Sequence, residues 1–457
     1  MRNADAAIIG FGKGGKTLAG ALAANGKKVI MIERSSEMYG GTCINVACIP
    51  TKSLVHSAAL SVVQGGTFAQ KADRYKKAIE RKNFVTSTLR DKNYHKLADN
   101  PNIEVLLGEA SFIDSRHLRV AMKDGAEISL EAKWIFINTG AVPFIPPIPG
   151  LRESKFSYTS DSLMELTRLP ERMVIVGGGY IGMEFASIFT NFGTQVTVIQ
   201  NEATFLPRED VEIAQAVLES LTARGIRVIR SANVQNVRDE DGKAIVTVET
   251  ADRTEHLVAE VVLVATGRRP NVAGLCLEAA GVELTDRGAI RTDERLRTTA
   301  PDIWALGDVA GGLQFTYISL DDYRIVASQL LGDGSRTTTD RGAVPYSVFI
   351  DPPFSRVGLG EREALDKGYS VKIAKLPVAA IPKALVLNNQ TGMLKVVVDA
   401  KTDRLLGAHF FCEESHEMIN LAKLAIDAQL PYQTLKNAIY THPTMSEALN
   451  DLFALLQ

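Results

Sequence analysis

One glycine-rich pattern occurs twice in the chain, and this duplication constrains the fold more than any other feature. In the first copy an apolar run leads into Gly10, Gly12 and Gly15, a helical pattern follows, and a second apolar run ends at Glu33. Glycines at this spacing let the backbone approach a pyrophosphate at a helix N-terminus, and a carboxylate at the strand end accepts hydrogen bonds from a ribose. The segment therefore predicts a β-α-β unit that binds a dinucleotide.

The second copy repeats the first at the same spacing. Its glycine-rich turn and the residues that follow are Gly177, Gly179, Tyr180, Ile181 and Gly182. The next apolar run ends at Gln200, at the distance from the turn that separates Gly10 from Glu33. Two dinucleotide folds in one chain predict two dinucleotides, an electron donor and an electron carrier.

Each copy closes with an apolar run that ends in Thr-Gly. The first ends at Thr139, Gly140 and Ala141, and the second ends at Gly267. A proline-rich segment at 145–150 cannot continue a helix or a central strand, so it predicts a linker between the two folds. Alternating apolar runs after residue 345 indicate an antiparallel sheet with flanking helices. The expected fold class is α/β, with two Rossmann-like domains and a C-terminal α+β domain.

A closely spaced pair of cysteines stands shortly after the first glycine-rich turn. Cys43 and Cys48 are close enough in sequence to form one small disulfide ring. Four cysteines in 457 residues are too few for a structural disulfide scaffold, and cytosolic thiols are normally reduced, so this pair predicts a redox centre. Cys276 and Cys412 stand alone in apolar sequence and are interpreted as buried small hydrophobic residues. No further ligand stands near the pair, so we expect no metal site.

The pair and its flanks, residues 40–52, resemble the redox-active site of the pyridine nucleotide-disulfide oxidoreductases. This flavoprotein family includes glutathione reductase and dihydrolipoamide dehydrogenase. Ala47 replaces the glycine that is usual in the family. The resemblance implies FAD in the first fold, NADH or NADPH in the second, and a redox-active disulfide between Cys43 and Cys48. It also implies that Cys48 faces the flavin and that Cys43 meets the substrate.

The same resemblance implies the remaining binding residues and the domains. The residues expected at FAD are Gly10, Gly12, Gly15, Glu33, Gly41, Thr42, Lys52, Ala110, Thr139, Gly140, Ala141 and Asp308. The residues expected at the pyridine nucleotide are Gly177, Gly179, Tyr180, Ile181, Gly182, Glu184, Gln200 and Gly267. Lys52 is expected to pair with Glu184 near the flavin, and Tyr180 to cover the nicotinamide pocket. The implied domains are an FAD domain of residues 1–150 and 271–335, an NAD(P) domain of residues 151–270 and a dimerisation domain of residues 343–457.

A motif near the C-terminus, in which Pro443 and Thr444 follow His442 and Glu447 comes three residues later, resembles the family's His-Pro-Thr-x-x-Glu sequence. A histidine titrates near neutral pH and can act as a general acid or base. The resemblance implies that Glu447 orients His442, and that His442 exchanges protons with Cys43 and the substrate of the opposite subunit. A homodimer is therefore expected. His416 and Cys412 are left without an assigned function.

Finer similarities concern the substrate. Segments 37–43, 311–324, 344–349 and 442–453 resemble the bacterial reactive-chlorine-resistance flavoproteins, which are described as hypothiocyanous acid reductases and as cupric reductases. The resemblance implies a small thiol-reactive oxidant, such as hypothiocyanous acid, or Cu(II) as substrate. A lipoamide or glutathione reductase is the alternative, and a redox sensor without turnover is a further one. Mercuric reductases and large thioredoxin reductases carry a C-terminal cysteine pair that this sequence does not have.

The nucleotide preference and the location depend on composition and single residues. A carboxylate at the second strand end favours NADH and clustered arginines favour NADPH, whereas Gln200 is compatible with both. The formal net charge of −2, from 51 basic and 53 acidic residues, gives no global attraction to nucleic acid or to an anionic membrane. No unbroken apolar run reaches the roughly 18 residues of a membrane span, and no signal peptide is expected, so the expected location is the cytoplasm.

Overall fold

The computed structural model describes residues 1–456. Its strands in chain order are β1 (Arg2–Ile9), β2 (Val29–Glu33), β3 (Ile103–Phe112), β4 (His117–Met122), β5 (Glu127–Ile137), β6 (Ala141–Pro143), β7 (Ser157–Thr159), β8 (Arg172–Val176), β9 (Gln195–Ile199), β10 (Arg227–Ile229), β11 (Asn233–Glu240), β12 (Lys243–Glu249), β13 (Thr254–Ala259), β14 (Val261–Val264), β15 (Arg268–Pro270), β16 (Ile303–Ala305), β17 (Tyr346–Val348), β18 (Phe354–Gly358), β19 (Val371–Pro377), β20 (Met393–Asp399) and β21 (Leu405–Phe411). Its α-helices are α1 (Lys13–Ala24), α2 (Thr42–Asn45), α3 (Cys48–Gln64), α4 (Phe68–Ala98), α5 (Ser160–Leu163), α6 (Tyr180–Phe192), α7 (Val211–Ala223), α8 (Thr316–Leu331), α9 (Glu361–Asp366), α10 (Pro382–Val386), α11 (Ser415–Asp427), α12 (Tyr432–Lys436) and α13 (Ala448–Ala454).

The first sheet has a parallel centre in the order β2-β1-β5-β16. The first half of β3 extends this sheet beside β2, and its second half pairs antiparallel with β4, which returns beside β5. Ala7 and Ile9 of β1 pack into one apolar core, and Ala6 and Ile8 pack into the core on the other face. Burial on both faces explains why β1 is a continuous apolar run rather than an alternating one.

The second sheet is entirely parallel, in the order β10-β9-β8-β14-β7. A three-stranded antiparallel sheet, β11-β12-β13, covers one of its faces through the core that includes Val174 and Val176. Met173 and Ile175 point to the other face, where helices cover them. The chain enters and leaves this region through a two-stranded antiparallel ribbon, in which β6 pairs with β15.

The C-terminal region contains a five-stranded antiparallel sheet in the order β17-β18-β21-β20-β19. Helices α11 and α13 bury apolar faces against this sheet, with Met418 and Ile419 from α11 and Leu452 and Phe453 from α13 in a single core. The predicted fold class, two Rossmann-like α/β units followed by an α+β unit, is confirmed.

One helical stretch, Thr42–Gln64, is long and apolar enough to cross a membrane, with a mean hydropathy of 1.4 over 18 residues. It is not an unbroken apolar run, since it contains Asn45, Lys52 and His56. In the fold, Leu54 and Ala58 of this stretch pack into the core that also holds residues of α4 and α6. This stretch, which carries both Cys43 and Cys48, therefore packs one of its sides within the fold.

Candidate active site

The first glycine-rich turn brings backbone and carboxylate groups together at the end of β1. Gly10 has a φ of +99°, and a side chain there would bring its Cβ within 2.5 Å of the Asn138 carbonyl oxygen. The Glu33 carboxylate accepts hydrogen bonds from the backbone N–H of Phe11 at 3.0 Å and of Ser35 at 3.2 Å. Burial raises the pKa of Glu33. The turn thus offers a glycine-walled surface beside a fixed carboxylate.

Two polar residues that the sequence did not single out hold this turn in place. The side-chain oxygen of Asn138 accepts from the Gly15 N–H at 2.9 Å, and its amide nitrogen donates to the Leu306 carbonyl at 2.6 Å. The Ser319 hydroxyl accepts from the Gly14 N–H at 3.0 Å. The position of Asn138 immediately before the predicted Thr-Gly strand end was the available signal, whereas Ser319 of α8 carried none.

The cysteine pair lies where α2 ends and α3 begins. Cys43 lies within α2, and Cys48 is the first residue of α3. Between them, Ala47 has φ −143° and ψ −102°, so the glycine usual in the family is not required by a left-handed backbone. The Ala47 carbonyl accepts from both the backbone N–H (3.0 Å) and the hydroxyl (2.7 Å) of Thr51, which fixes the first turn of α3.

The two thiols are free and share a hydrogen bond. The bond from Cys48, followed by one from the Thr316 hydroxyl and by the charges of Lys16 and Lys52, lowers the pKa of Cys43 to about 7, against the opposing effect of burial. The same bond, burial and the charge on Cys43 raise the pKa of Cys48. At neutral pH Cys43 is therefore about half deprotonated, and it is the more acidic thiol of the pair.

Lys52 and Glu184 form an ion pair between α3 and α6. The Glu184 carboxylate also accepts the backbone N–H of Phe349 at 2.8 Å, so it is held by two elements besides its own. The Lys52 ammonium lies 4.5 Å from the centroid of the Phe349 ring, within the range of a cation–π contact. The imidazole ring of His416 packs nearby, with its centroid 5.4 Å from that of the Phe349 ring. The Nδ1 atom of His416 is buried and has no hydrogen-bond partner in residues 1–456.

Tyr180, the first residue of α6, is tied to a buried carboxylate that sequence reasoning did not identify. Its hydroxyl donates to Glu209, which also accepts from the Tyr346 hydroxyl at 2.6 Å. The two phenol rings lie 5.6 Å apart. Arg356 of the C-terminal sheet approaches the same carboxylate at 3.4 Å and supplies its counter-charge. Glu209 therefore links the second sheet to the C-terminal sheet at the wall of the site.

These residues surround one cavity of about 1890 Å³, which is large enough for more than one cofactor. The predicted residues that line it are Gly10, Gly12, Glu33, Gly41, Thr42, Cys43, Cys48, Lys52, Ala110, Thr139, Gly140, Ala141, Tyr180, Ile181, Glu184 and Asp308. Burial raises the pKa of Asp308, as it does that of Glu33. The buried Glu33 and the partly buried Asp308 suit the hydroxyl donors of FAD, and the glycine-walled turn suits its pyrophosphate.

Other predicted binding residues lie outside this lining. They are Gly15, Gly177, Gly179, Gly182, Gln200 and Gly267. At Gly182 a Cβ would lie 2.2 Å from the Gly177 carbonyl oxygen, so this glycine lets α6 pack closely on the end of β8. Such a glycine supports the turn from behind and does not have to contact a ligand.

The end of β9 differs from the sequence-based picture. Gln200 is buried, donates to the Thr204 carbonyl at 2.6 Å, and has an Oε1 without a partner in residues 1–456. Residues 201–205, which follow β9, contain no arginine, but Arg230, directly after the adjacent strand β10, reaches this segment, with Nη1 3.2 Å from the Ala203 carbonyl oxygen. Arg230 lines a small cavity of about 550 Å³ together with Arg227 and Arg253. Arg227 and Arg253 both form ion pairs with Glu255. These arginines were missed because they are distant in sequence from Gln200: Arg227 and Arg230 lie in and just after β10, and Arg253 lies between β12 and β13.

His442 and Glu447 are paired, with Nδ1 of the ring 2.8 Å from the carboxylate. This bond lowers the pKa of Glu447. The His442 side chain is 73 % exposed and neither residue lines the cavity of its own chain. The imidazole is therefore presented outward, oriented by a carboxylate.

The two remaining cysteines differ from each other. Cys412 is buried, as predicted. The prediction that Cys276 is buried is wrong: Cys276 is exposed and has a φ of +53°. Its neighbours Leu275 and Leu277 both point into the core, which leaves the residue between them facing solvent.

Comparisons with known proteins agree with this geometry. The sequence profile described as pyridine nucleotide-disulphide oxidoreductase matches residues 4–322, and that of the family's dimerisation domain matches residues 344–453. The chain belongs to the pyridine nucleotide-disulphide oxidoreductase family, which confirms the resemblance seen in the sequence. It is an NAD(P)H-dependent flavoprotein disulfide oxidoreductase, and its dimerisation domain indicates a homodimer.

Individual relatives are similar over their whole length. The chain is 50 % identical over 457 residues to a protein named probable pyridine nucleotide-disulfide oxidoreductase RclA from Escherichia coli (strain K12), with 100 % of both chains covered. It is 36 % identical to a mercuric reductase of Staphylococcus aureus, covering 98 % of this chain and 82 % of that protein. A solved structure described as the Cu(II) complex of the HOCl-induced flavoprotein disulfide reductase RclA from Escherichia coli has a TM-score of 0.94 at 49 % identity, with 100 % of both chains covered.

Proposed function

We propose that this enzyme uses NAD(P)H to reduce a small thiol-reactive oxidant, with hypothiocyanous acid as the substrate, through the dithiol of Cys43 and Cys48. The observation that carries the proposal is the division of the pair. Cys43, whose pKa is lowered to about 7, lines the cavity as the more acidic thiol, while the thiol of Cys48 is held next to it as a hydrogen-bond donor. Similarity to an HOCl-induced disulfide reductase supports the choice of an oxidant.

The proposed reaction uses two successive attacks on sulfur. The Cys43 thiolate attacks the sulfur of hypothiocyanous acid, a bond forms between the two sulfurs, and the hydroxyl group leaves as water after taking up a proton. Cys48 then loses its proton and attacks the Cys43 sulfur, which expels thiocyanate and closes the disulfide. Two electrons from NAD(P)H reopen the disulfide, so one nucleotide is oxidised for each oxidant reduced.

The residues of the cavity fit the two cofactors that the family implies. Bound FAD supplies the two-electron relay between the nicotinamide and the disulfide. Glu33 and Asp308 would bind its ribose and ribityl hydroxyls, and the turn at Gly10 and Gly12 would accommodate its pyrophosphate. Tyr180 would cover the nicotinamide pocket. The proposed domain division remains 1–150 with 271–335 for FAD, 151–270 for NAD(P) and 343–457 for dimerisation.

We further propose that His442 acts in the other subunit of a homodimer. Its ring is outward-facing and held by Glu447, which suits a group that must enter a neighbouring site in a fixed orientation. There it would donate the proton that the leaving hydroxyl group takes up and would later accept the proton of Cys48. The proposed location of the enzyme is the cytoplasm, where its dithiol can be kept in the reduced form.

Cu(II) is a second candidate substrate, and one observation favours it: the solved relative is a Cu(II) complex. In residues 1–456 no group of three or more His, Cys, Asp and Glu side chains is arranged to hold a metal ion. In this second proposal Cu(II) would meet the dithiol as a substrate, where a soft thiolate pair suits the cuprous product.

Steady-state oxidation of NADPH and NADH with hypothiocyanous acid, Cu(II), lipoamide and oxidised glutathione in parallel tests the proposal. We expect the highest kcat/KM with hypothiocyanous acid, and its loss in both the Cys43→Ser and the Cys48→Ser variants. Faster turnover of lipoamide or glutathione would contradict the proposed substrate. Activity with Cu(II) that survives both substitutions would show that metal reduction does not use the dithiol.

A further inference from the structure

The ammonium group of Lys16 contacts the segment that leads to Cys43, and the proposed reaction gives it no role. Lys16 is in the second turn of α1, and its ammonium points into the protein below Gly40. Its Nζ donates to the Gly40 carbonyl at 3.2 Å and to the side-chain oxygen of Asn93 at 2.5 Å. Both partners are neutral carbonyl groups, so neither supplies a negative charge.

No carboxylate in residues 1–456 lies within 4.0 Å of this ammonium, in contrast to the two buried lysines, Lys82 and Lys395. Lys82 is paired with Glu165, and Lys395 is surrounded by three acids. A partly buried cation without a counter-ion is costly, and such groups are concentrated at functional sites. Burial, together with the like charges of Lys13 and Lys96, lowers the pKa of Lys16 to about 8.

The negative charge that compensates Lys16 comes from the dithiol. Cys43 is the only acidic group among those that raise the pKa of Lys16, and Lys16 is in turn one of the charges that lower the pKa of Cys43. The groups that act on Cys43 come from three elements besides its own: Cys48 and Lys52 of α3, Thr316 of α8, and Lys16 of α1. Of these groups, Lys16 also donates a hydrogen bond to the carbonyl of Gly40, in the segment that leads into α2 and Cys43.

We infer that Lys16 is a positioning residue for the dithiol: from beneath Gly40 its ammonium stabilises the thiolate of Cys43 and fixes the loop that presents this thiolate to the substrate. The inference rests on the proposed role of Cys43 as the substrate-facing nucleophile. It adds a second cation to Lys52, on the side of the thiolate that faces α1. The stabilisation of the thiolate by Lys16 should end at high pH, because the ammonium loses its proton as the pH rises through about 8.

The test measures the reactivity of Cys43 without any oxidant substrate. In holoenzyme carrying Cys48→Ser, Cys43 is alkylated with iodoacetamide from pH 5.5 to 9.5, and its modification is followed by peptide mass spectrometry. The serine hydroxyl preserves a hydrogen-bond donor to Cys43. The exposed Cys276 serves as an internal reference thiol. Lys16→Gln removes the charge while retaining an amide that can donate to Gly40 and Asn93, and Lys16→Arg retains the charge.

We expect Lys16→Gln to slow alkylation of Cys43 about 3- to 10-fold at pH 6, with the difference vanishing above pH 9. Lys16→Arg should behave like the parent protein, and so at pH 6 should Lys96→Met, which removes an exposed lysine whose charge acts on Lys16. The rate ratio of anionic iodoacetate to neutral iodoacetamide should also fall in Lys16→Gln, since this ratio reports the local charge independently of the thiolate fraction.

An unchanged pH profile and an unchanged reagent ratio in Lys16→Gln would overturn the inference. Equal slowing by Lys16→Gln and Lys16→Arg would also overturn it, because the loop geometry rather than the charge would then be responsible. Neither result depends on turnover with hypothiocyanous acid, so failure of the proposed substrate and failure of this inference are separate outcomes.

Discussion

The Lys52 ammonium lies 2.9 and 2.8 Å from the two carboxylate oxygens of Glu184. This pair joins α3, the helix that begins at Cys48, to α6, the helix that follows the second glycine-rich turn. The Glu184 side chain is 13 % exposed and that of Lys52 is 32 % exposed. Loss of the lysine would leave a mostly buried carboxylate without its counter-charge.

We expect Lys52→Met to slow reduction of the enzyme by NAD(P)H about 10- to 100-fold. Removal of one fixed electrostatic group from an active site usually costs more, but Lys52 is partly exposed, so water screens part of its charge. Stopped-flow absorbance of the flavin under anaerobic conditions measures this step. Lys71→Met, which alters a lysine of α4 without an ion pair in residues 1–456, is the control. Equal rates for Lys52→Met and the control would contradict the proposed contribution of the pair.

His442→Gln should act on the opposite half-reaction. If the ring handles the proton for the step at Cys43, reoxidation by hypothiocyanous acid should slow about 10²- to 10⁴-fold, and the reactive leaving group favours the lower end. Reduction by NAD(P)H should be unchanged. Paired stopped-flow measurements separate the two steps, and Glu447→Gln should give a smaller loss because it only releases the ring. Equal slowing of both half-reactions would instead indicate a defect in dimerisation or folding.

Tyr180→Phe removes one of the two phenol donors to Glu209. If this ring must move aside for the nicotinamide, loss of a hydrogen bond to a buried carboxylate favours the open position. We expect the KM for NAD(P)H to fall about 3- to 10-fold. Tyr346→Phe, which removes the other donor, is the matched control and should leave KM within about twofold of the parent. A KM that rises in Tyr180→Phe would mean that the ring contributes to binding and does not obstruct it.

Arg230 tests the nucleotide preference. Of the three arginines that line the small cavity beside β10, Arg230 is the one without an ion pair in residues 1–456. Gln200 places no negative charge at the neighbouring end of β9. An arginine binds a phosphate through several donors, so Arg230→Met should raise the KM for NADPH about 5- to 20-fold and that for NADH less than twofold. Arg253→Met, which loses an arginine already paired with Glu255, should change neither. Parallel shifts for both nucleotides would place the 2′-phosphate elsewhere.

Lys395 concerns stability. Its side chain is 0 % exposed, and its ammonium lies 2.8 Å from Asp210, 2.7 Å from Glu361 and 3.2 Å from Glu212. Lys395→Met leaves three carboxylates without this counter-ion, so we expect the free energy of unfolding to fall by about 3–5 kcal/mol. Urea denaturation followed by circular dichroism measures the change. Lys367→Met, on an exposed position of the same region, should stay within about 0.5 kcal/mol of the parent.

The same cluster gives a pH dependence with a definite sign. Burial opposes it, but the Lys375 hydrogen bond and the Lys395 charge lower the pKa of Glu212 from 4.5 to about 2. A carboxylate with a lowered pKa in the folded state stabilises the protein above pH 4.5, and this contribution is lost as the pH falls towards 2. The parent should therefore lose stability over this interval, and Lys395→Met should lose less of it. An identical acid profile would contradict this explanation.

The duplicated glycine-rich turn made most of the fold predictable, because two β-α-β units at equal spacing determine which strands are parallel and where the two glycine-rich turns lie. The cysteine pair was predictable from spacing and flanks alone. Glu209 was not, since it follows no motif and its partners Tyr180, Tyr346 and Arg356 come from different elements. Arg230 escaped for a similar reason: which strand lies next to β9 depends on sheet order and not on sequence proximity.

Strand β16 has a consequence for the order in which the chain can assemble. The second sheet is made from one continuous stretch, residues 157–264, whereas the first sheet obtains its last parallel strand only from residues 303–305. Asn138 also receives its Leu306 partner at that stage. On the ribosome, the nucleotide fold that begins later in the sequence can thus be complete while the earlier one still has an open edge beside β5. The first nucleotide fold, although encoded first, is finished second.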